Sequence, residues 1–133
     1  MIESVSEITV RYSETDMMGI VYHANYLTWL EIGRTEMLRE CGLPYSEMEE
    51  QGILLPVLSI NINYCKPARY DEVITITTRM NEKPFVKIAL EYEIHRGKEL
   101  LSTASSTHAF MNRDAHPIKT PRFFLDTISK EFA

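Results

Sequence analysis

Hydrophobic and polar positions alternate in five segments of the chain, which is the pattern of strands with one buried face. The alternation predicts strands at residues 5–12, 56–65, 73–80, 85–94 and 99–111. Between the first two strands, apolar residues recur three and four positions apart, as on the buried face of a helix spanning about residues 24–41. Gly42 and Pro44 would end that helix. The order of elements therefore predicts an α+β fold, with an antiparallel sheet covered on one face by a single long helix.

The long helix is expected to bury a stripe formed by Leu27, Leu30, Met37, Leu38 and Cys41. Its opposite side would expose Thr28, Glu31, Thr35 and Arg39. Arg34 falls on the apolar side, and we expect its guanidinium to pair with the carboxylate of Glu31 or Glu14 rather than to contact substrate. A short helical turn is expected at residues 44–51, and a terminal helix within residues 121–132.

Length and charge limit the classes of function. A chain of 133 residues forms one domain, residues 1–133, and its net charge of −5 argues against binding to nucleic acid. The acidic N-terminus is unlike a signal peptide, and no apolar run is long enough for membrane insertion. Cys41 and Cys65 are expected to be buried free thiols of a cytoplasmic protein. The spacing of the histidines and cysteines gives no support for a metal site.

The segment from Tyr12 to Tyr26 carries the candidate chemistry, because it links the first strand to the start of the long helix. Backbone N–H groups at a helix start lack internal partners and can receive a developing oxyanion. Gly19 permits close approach of the backbone, and Asp16 lies seven residues before His23, where its carboxylate could attack a carbonyl or activate a water. The residues alone define a candidate acyl-transfer site, although an aspartate or histidine at such a position is more often a cap, a turn or a packing residue.

The same segment resembles a known family. Its core is Asp16-Met17-Met18-Gly19-Ile20-Val21-Tyr22-His23-Ala24-Asn25-Tyr26, and the similarity continues through residues 31–38, 41–44, 70–73 and 83–86. These motifs resemble the hot-dog-fold acyl-CoA thioesterases of the 4-hydroxybenzoyl-CoA thioesterase family. The resemblance is greatest to the bacterial branch that has a histidine at the helix start and is associated with the Tol–Pal genes.

The resemblance implies a fold and an activity. The fold would be the hot-dog fold, a five-stranded antiparallel sheet wrapped around one long helix. The activity would be hydrolysis of an acyl-CoA to a carboxylic acid and free CoA, without a cofactor because CoA is part of the substrate. Asp16 would be the catalytic carboxylate, and the backbone N–H of His23 would polarise the thioester carbonyl. His23 and Tyr12 would also line the catalytic site, and the expected substrate contacts are Gly19, Val21, Tyr22, Glu31 and Lys83.

The chain departs from the family pattern in two respects. Asn81 and Glu82 stand where the 4-hydroxybenzoyl branch has two phosphate-binding arginines, so Lys83 remains alone, or phosphate recognition has moved to Lys66, Arg69 or Lys87. Glu31 occupies the position that reaches the aromatic hydroxyl in that branch, but here its spacing to Arg34 suits an intrahelical ion pair. An aliphatic acyl group therefore fits at least as well as an aromatic one.

Several alternatives stay open at this stage. The sequence does not decide between an acyl anhydride on Asp16 and attack by an activated water, nor between free CoA and a carrier protein. A non-catalytic acyl-CoA-binding or acyl-carrier-binding module would keep the same pocket. A serine hydrolase is excluded, because the chain has no G-x-S-x-G motif. The exposed sheet edges, and the way relatives build sites between subunits, predict a homodimer or homotetramer.

Overall fold

The computed structural model describes residues 1–132 and has the elements that the alternation predicts. The strands are β1 (Ile2–Thr9), β2 (Val57–Tyr64), β3 (Val73–Met80), β4 (Ile88–Arg96) and β5 (Glu99–His108). The helices are α1 (Asn25–Glu40), α2 (Tyr45–Glu50) and α3 (Arg122–Ser129), and short 3-10 turns occur at Tyr12–Glu14 and Lys130–Phe132.

The five strands form one antiparallel sheet in the order β1-β3-β4-β5-β2, so β1 and β2 are its two edges. Helix α1 packs on one face of the sheet, against β1 and β3. The core lies between them and is filled by the inward residues of the strands together with Trp29, Leu30 and Met37 of the helix. The predicted α+β arrangement, with one long helix on a five-stranded sheet, is confirmed.

Several strand boundaries differ from the prediction: β1 and β5 end three residues earlier, β4 ends two residues later, and β1 and β4 begin at other residues. Strand β1 begins at Ile2 rather than at residue 5, because Ile2 and Ser4 are buried and pair with Met80 and Thr78 at the far end of β3. Strand β4 begins at Ile88 rather than at residue 85. Phe85 lies outside the sheet in an exposed loop, with 83% of its surface accessible.

Helix α1 buries a stripe shifted from the predicted one. Its buried residues are Tyr26, Trp29, Leu30, Gly33, Met37 and Leu38. The predicted burial of Leu27 is wrong, since 45% of its surface is exposed. Leu27 lies at the edge of the buried stripe, because the centre of the stripe is formed by Tyr26 and Trp29. Cys41 is half-buried, whereas Cys65 is exposed, contrary to expectation, and both are free thiols.

The expected ion pair of Arg34 is also wrong. No acidic oxygen of residues 1–132 lies within 4.0 Å of its guanidinium, and its Nη1 atom is buried without a hydrogen-bond partner. Glu14 is occupied elsewhere, by Arg11 and Trp29. Arg34 is half-buried, so the fold leaves this cation without a neutralising carboxylate.

Gly33 allows α1 to approach the sheet closely. A Cβ atom built on this residue would lie 2.5 Å from Oγ1 of Thr78 and 2.9 Å from Cγ2 of Ile76, both on β3. Such distances are shorter than van der Waals contact, so even a methyl group would push the helix away from the strand. Glycine is therefore required here by packing, although it lowers helix propensity.

Glu14 fixes the start of α1 against the end of β1. Its side chain is only 5% exposed, and its carboxylate accepts hydrogen bonds from the backbone N–H of Arg11 (2.8 Å) and from Nε1 of Trp29 (2.8 Å). Its carbonyl oxygen accepts from the N–H of Tyr22 (2.9 Å) and from Nδ2 of Asn25 (2.8 Å). Burial alone would raise the pKa of Glu14, but these bonds to the carboxylate and the Arg11 charge outweigh it and lower that pKa.

We predict that Gly33→Ala lowers the free energy of unfolding by about 1–3 kcal/mol, because overpacking outweighs the gain in helix propensity. The measurement is urea-induced unfolding followed by circular dichroism. Removing the nearest atom in Gly33→Ala/Thr78→Ala should recover part of the loss. A Gly33→Ala variant that is as stable as the parent would contradict the close packing.

We predict that Glu14→Gln lowers stability at neutral pH by about 1–3 kcal/mol, because a charge-assisted acceptor is lost. The folded pKa of Glu14 is lowered, so its stabilisation is present above the unfolded carboxyl pKa and disappears as pH falls through the folded pKa. The difference between parent and variant should therefore shrink in acid, as measured by unfolding curves at several pH values. Glu36→Gln, which alters an exposed carboxylate paired with Arg39, is the control and should cost at most about 0.5 kcal/mol.

Candidate active site

The loop between β1 and α1 folds tightly on itself around Asp16. The carboxylate of Asp16 accepts a hydrogen bond from the N–H of Met18 (2.8 Å), and its carbonyl oxygen accepts one from the N–H of Gly19 (3.0 Å). The N–H of Asp16 donates to the carbonyl of Ile20 (2.9 Å). Gly19 has φ of 78°, the left-handed region that glycine tolerates, so the chain can reverse here. Asp16 is thus held half-buried at a fixed place in the loop.

The loop is attached to the rest of the fold on both sides. Val21 is buried, and its N–H donates to the carbonyl of Ala68 (2.9 Å), in the segment that leads to β3. The N–H of Val10 donates to the carbonyl of Glu72 (2.9 Å) in the same segment. Together with the Glu14 contacts, these bonds fix the position of Asp16 relative to the start of α1.

The N-terminus of α1 presents backbone donors without an acceptor. The residue before the helix is Ala24, which has no side chain able to cap it. Within residues 1–132, the N–H groups of His23 and Ala24 donate to no protein acceptor, whereas that of Asn25 donates to the carbonyl of Tyr22. Free donors at the positive end of a helix dipole favour a negatively charged oxygen.

Aromatic side chains surround these donors. The His23 ring is exposed, with ring centroids of Tyr22 and Tyr64 at 4.5 Å and 6.4 Å. The hydroxyl of Tyr64, at the end of β2, donates to the carbonyl of His23 (3.1 Å). Tyr12 packs edge-on against Tyr70 (5.5 Å), and 76% of its surface is exposed. Tyr64 was not selected from the sequence, because nothing in the strand pattern shows that β2 ends beside the helix start.

The structure brings most of the sequence-selected residues together. Tyr12, Asp16, Gly19, Val21, Tyr22 and His23 all lie in the loop or at its junctions with the neighbouring elements. No direct hydrogen bond joins the side chains of Asp16 and His23 within the described residues. Glu31 lies two turns further along α1, where it lines a cavity with Arg34.

Lys83 is far from the other selected residues within one chain. Strand β3 begins at Val73, which pairs with Thr9 beside the site loop, and ends at Met80, which pairs with Ile2. The seven steps between the first and last of these eight residues, at about 3.3 Å each, separate the two ends by about 23 Å. Lys83 follows Met80, so it lies at the end of the sheet opposite to Asp16.

Large apolar side chains around the site are exposed in the single chain. At the tip of the loop Met17 is fully accessible and Met18 is about three-quarters accessible, while Tyr22 and Leu27 are about half accessible. Among residues 1–132 no helix is long and apolar enough to cross a membrane. A group of exposed apolar residues beside free backbone donors is typical of a binding site.

Comparison with known proteins agrees with this architecture. The family model of the thioesterase-like superfamily matches residues 10–128. The protein YneP of Bacillus subtilis is 43% identical over 125 residues, which are 92% of this chain and 91% of YneP. The acyl-CoA thioesterase YbgC of Haemophilus influenzae is 34% identical over 99 residues, 74% of this chain and 73% of YbgC.

A solved structure gives the same result in three dimensions. The crystal structure of the DHNA-CoA thioesterase from Staphylococcus aureus superposes with a TM-score of 0.92 at 37% identity, and the match covers 99% of this chain and 92% of that one. The sheet order and the central helix are those of the hot-dog fold, which confirms the fold implied by the sequence motifs. The chain therefore belongs to the thioesterase-like superfamily.

Proposed function

We propose that Asp16 is the catalytic carboxylate of this acyl-CoA thioesterase, and that the free N–H of His23 binds the carbonyl oxygen of the thioester. The observation that carries the proposal is the pair of unused N–H groups at the start of α1, beside a loop that holds Asp16 in place. A carbonyl oxygen bound there becomes more negative in the transition state, so these donors stabilise the transition state more than the ground state.

The reaction adds water across the thioester. Either Asp16 removes a proton from a water molecule that attacks the carbonyl carbon, or Asp16 attacks first and water then opens the resulting anhydride. In both routes the C–S bond breaks, the CoA thiolate leaves and takes up a proton, and a carboxylic acid remains. His23 is exposed beside Tyr22 and Tyr64, where its ring can position the attacking water. Because the His23 ring lies at the start of α1, beside the proposed carbonyl-binding N–H, we favour the route in which Asp16 activates a water.

Further features of the proposal follow from the family resemblance and the comparisons. We place the chain in the branch with a histidine at the helix start, associated with the Tol–Pal genes, and in the cytoplasm. Tyr12, Gly19, Val21 and Tyr22 would line the acyl site, and Lys83 of a second subunit would reach the CoA phosphates. The Staphylococcus relative is named as a DHNA-CoA thioesterase, and in this chain Glu31 and Arg34 line a cavity beside α1 where they could contact the acyl group.

We predict that Asp16→Asn lowers kcat/KM for acyl-CoA hydrolysis by about a hundredfold or more, because the amide is neither a base nor a nucleophile. The measurement is release of CoA thiol from a panel of acyl-CoAs. Asp126→Asn, the same change on the exposed face of α3, is the matched control and should keep normal activity. Near-full activity of Asp16→Asn would refute the proposal, and tight binding without thiol release by the parent would favour a non-catalytic binding module. Faster turnover of acyl-carrier-protein thioesters would identify a protein carrier.

We also propose that the chain forms a homodimer through the β2 edge, or a homotetramer built from two such dimers. Strand β2 has no charged residue in eight positions, and its exposed residues include Val57 and Leu58. The other edge, β1, carries Glu3 and Glu7, and charges of this kind prevent edge-to-edge pairing. Because Tyr64 of β2 contacts His23, a partner paired along β2 would lie next to the site.

We predict that Leu58→Lys shifts the protein toward monomer in sedimentation velocity experiments and lowers thioesterase activity at the same time. The reason is that a charge is placed on the apolar edge that would join the subunits. Val5→Lys, at a position of similar exposure on β1, is the control and should leave both properties unchanged. A fully active monomeric parent would contradict the shared site.

A further inference from the structure

Residues 1–132 contain three half-buried arginines, and they differ in whether a carboxylate neutralises them. Arg79 pairs with Glu3 and Glu93, and Arg96 pairs with Glu72 and Glu99. Arg34 has no acidic oxygen within 4.0 Å in the described chain, and its Nη1 is buried without a partner. A partly desolvated charge without a counter-charge is costly, so it calls for an explanation.

The groups packed against Arg34 cannot supply the missing charge. Burial raises the pKa of Tyr92, whose hydroxyl shares a hydrogen bond with Ser106 (2.7 Å), so Tyr92 stays neutral. Burial and the charge of Arg34 lower the pKa of His108 to about 4, so this histidine is neutral as well. Arg34 therefore faces a polar but uncharged interior.

On its other side Arg34 opens into a cavity of about 250 Å³. Its polar and apolar walls come from α1, α2 and the start of β2, and include Glu31, Thr35, Leu38, Tyr45, Pro56 and Val57. A second cleft of about 230 Å³ shares Glu31 and Thr35 with it and extends back along α1 to Thr28. The two cavities are neighbours along α1, and Thr28 lies about one helical turn after the free N–H groups at the helix start.

The residues exposed on this side of α1 change in character along the helix. Leu27 is exposed and apolar, and Glu31 and Arg34, which line the first cavity, follow it by one and two helical turns. Arg34 lies eleven residues after His23, or about 16 Å along the axis at 1.5 Å per residue, and its long side chain shortens the span that a ligand must bridge. A thioester bound at His23 would thus direct an apolar chain toward a guanidinium.

We propose that Arg34 is a specificity-determining residue that binds a terminal carboxylate on the acyl group, so that the preferred substrates are CoA thioesters of dicarboxylic acids. The inference rests on the proposed function, because it takes the acyl group to start at His23. A carboxylate supplies the counter-charge that Arg34 lacks and matches the fork of the guanidinium, whereas a hydroxyl supplies no charge. Glu31 is exposed and lines the same cavity, so its negative charge repels a carboxylate and weakens the preference for dicarboxylic acyl groups.

The experiment compares suberyl-CoA with octanoyl-CoA and ω-hydroxyoctanoyl-CoA, three substrates of equal chain length. The parent enzyme should prefer suberyl-CoA by about tenfold in kcat/KM, mainly through KM, as one charge-assisted hydrogen bond would give. Equal use of the three substrates, or a preference for the hydroxyl compound, would overturn the carboxylate assignment without any variant being made.

Variants test the role of each charge. Arg34→Gln should reduce the suberyl preference to about one, and Arg34→Lys should keep part of it, while Glu31→Gln should increase it. Arg39→Gln, on the exposed side of α1 and paired only with Glu36, is the matched control and should keep the parent ratio. A ratio that is insensitive to both Arg34→Gln and Glu31→Gln would refute the proposal.

The two proposals can fail separately. If octanoyl-CoA is hydrolysed in a manner that requires Asp16 but suberyl-CoA has no advantage, the proposed function stands and the role of Arg34 is wrong. If no acyl-CoA is hydrolysed by the parent, both are wrong. Loss of all activity in Arg34→Gln would reflect folding, and the comparison of substrates on the parent then decides.

Discussion

The buried carboxylate of Glu14 is the contact on which the candidate site depends. It joins the end of β1 to Trp29 inside α1, while its own carbonyl holds Tyr22 and Asn25. The loop that contains Asp16 therefore has both of its ends fixed to the same residue. Because this anchoring is done by Glu14, the position before α1 needs no capping side chain, and Ala24 leaves the N–H groups at the helix start available to a ligand. Different residues therefore stabilise the junction and provide the unbonded N–H groups of the candidate site.

The elements could be predicted from the sequence because they depend on local patterns, and local patterns also selected the segment that holds the candidate site. Alternation at a period of two identified the strands, and the strand–helix junction identified the segment from Tyr12 to Tyr26. Errors arose where burial is decided by distant residues. A glutamate in a loop is usually exposed, and only Trp29, fifteen residues away, makes Glu14 a buried anchor. The position of Leu27 on an apolar stripe likewise did not show that the sheet leaves this flank of the helix uncovered.

The position of Lys83 shows a second limit of predicting a binding site from sequence motifs. Its place in the chain is consistent with the family, but the register of β1 against β3 places it about 23 Å from the site loop of its own subunit. A motif states which residues occur together in a sequence and not which subunit brings them together in space. The β2 edge is uncharged, and its Tyr64 contacts His23. In the proposed dimer, a second subunit paired along this edge would complete the site that one chain leaves without Lys83. Pairing along that edge would also cover the apolar surface that a single chain exposes.

Because the net charge is acidic, substrate binding depends on where the positively charged groups lie. The chain carries −5, yet its substrate class is polyanionic, so long-range attraction works against binding and recognition must occur at short range. The fold neutralises its other half-buried cations, since Arg79 and Arg96 each bridge two carboxylates that raise their pKa values further. Among the half-buried arginines of the described residues, Arg34, near the middle of α1, is the one without a carboxylate partner, and the N–H groups of His23 and Ala24 at the start of the same helix are unbonded. If the thioester oxygen binds at the start of α1 and a carboxylate of the acyl group binds Arg34, the distance between these two groups along one helix determines the length of the acyl group that the site accepts.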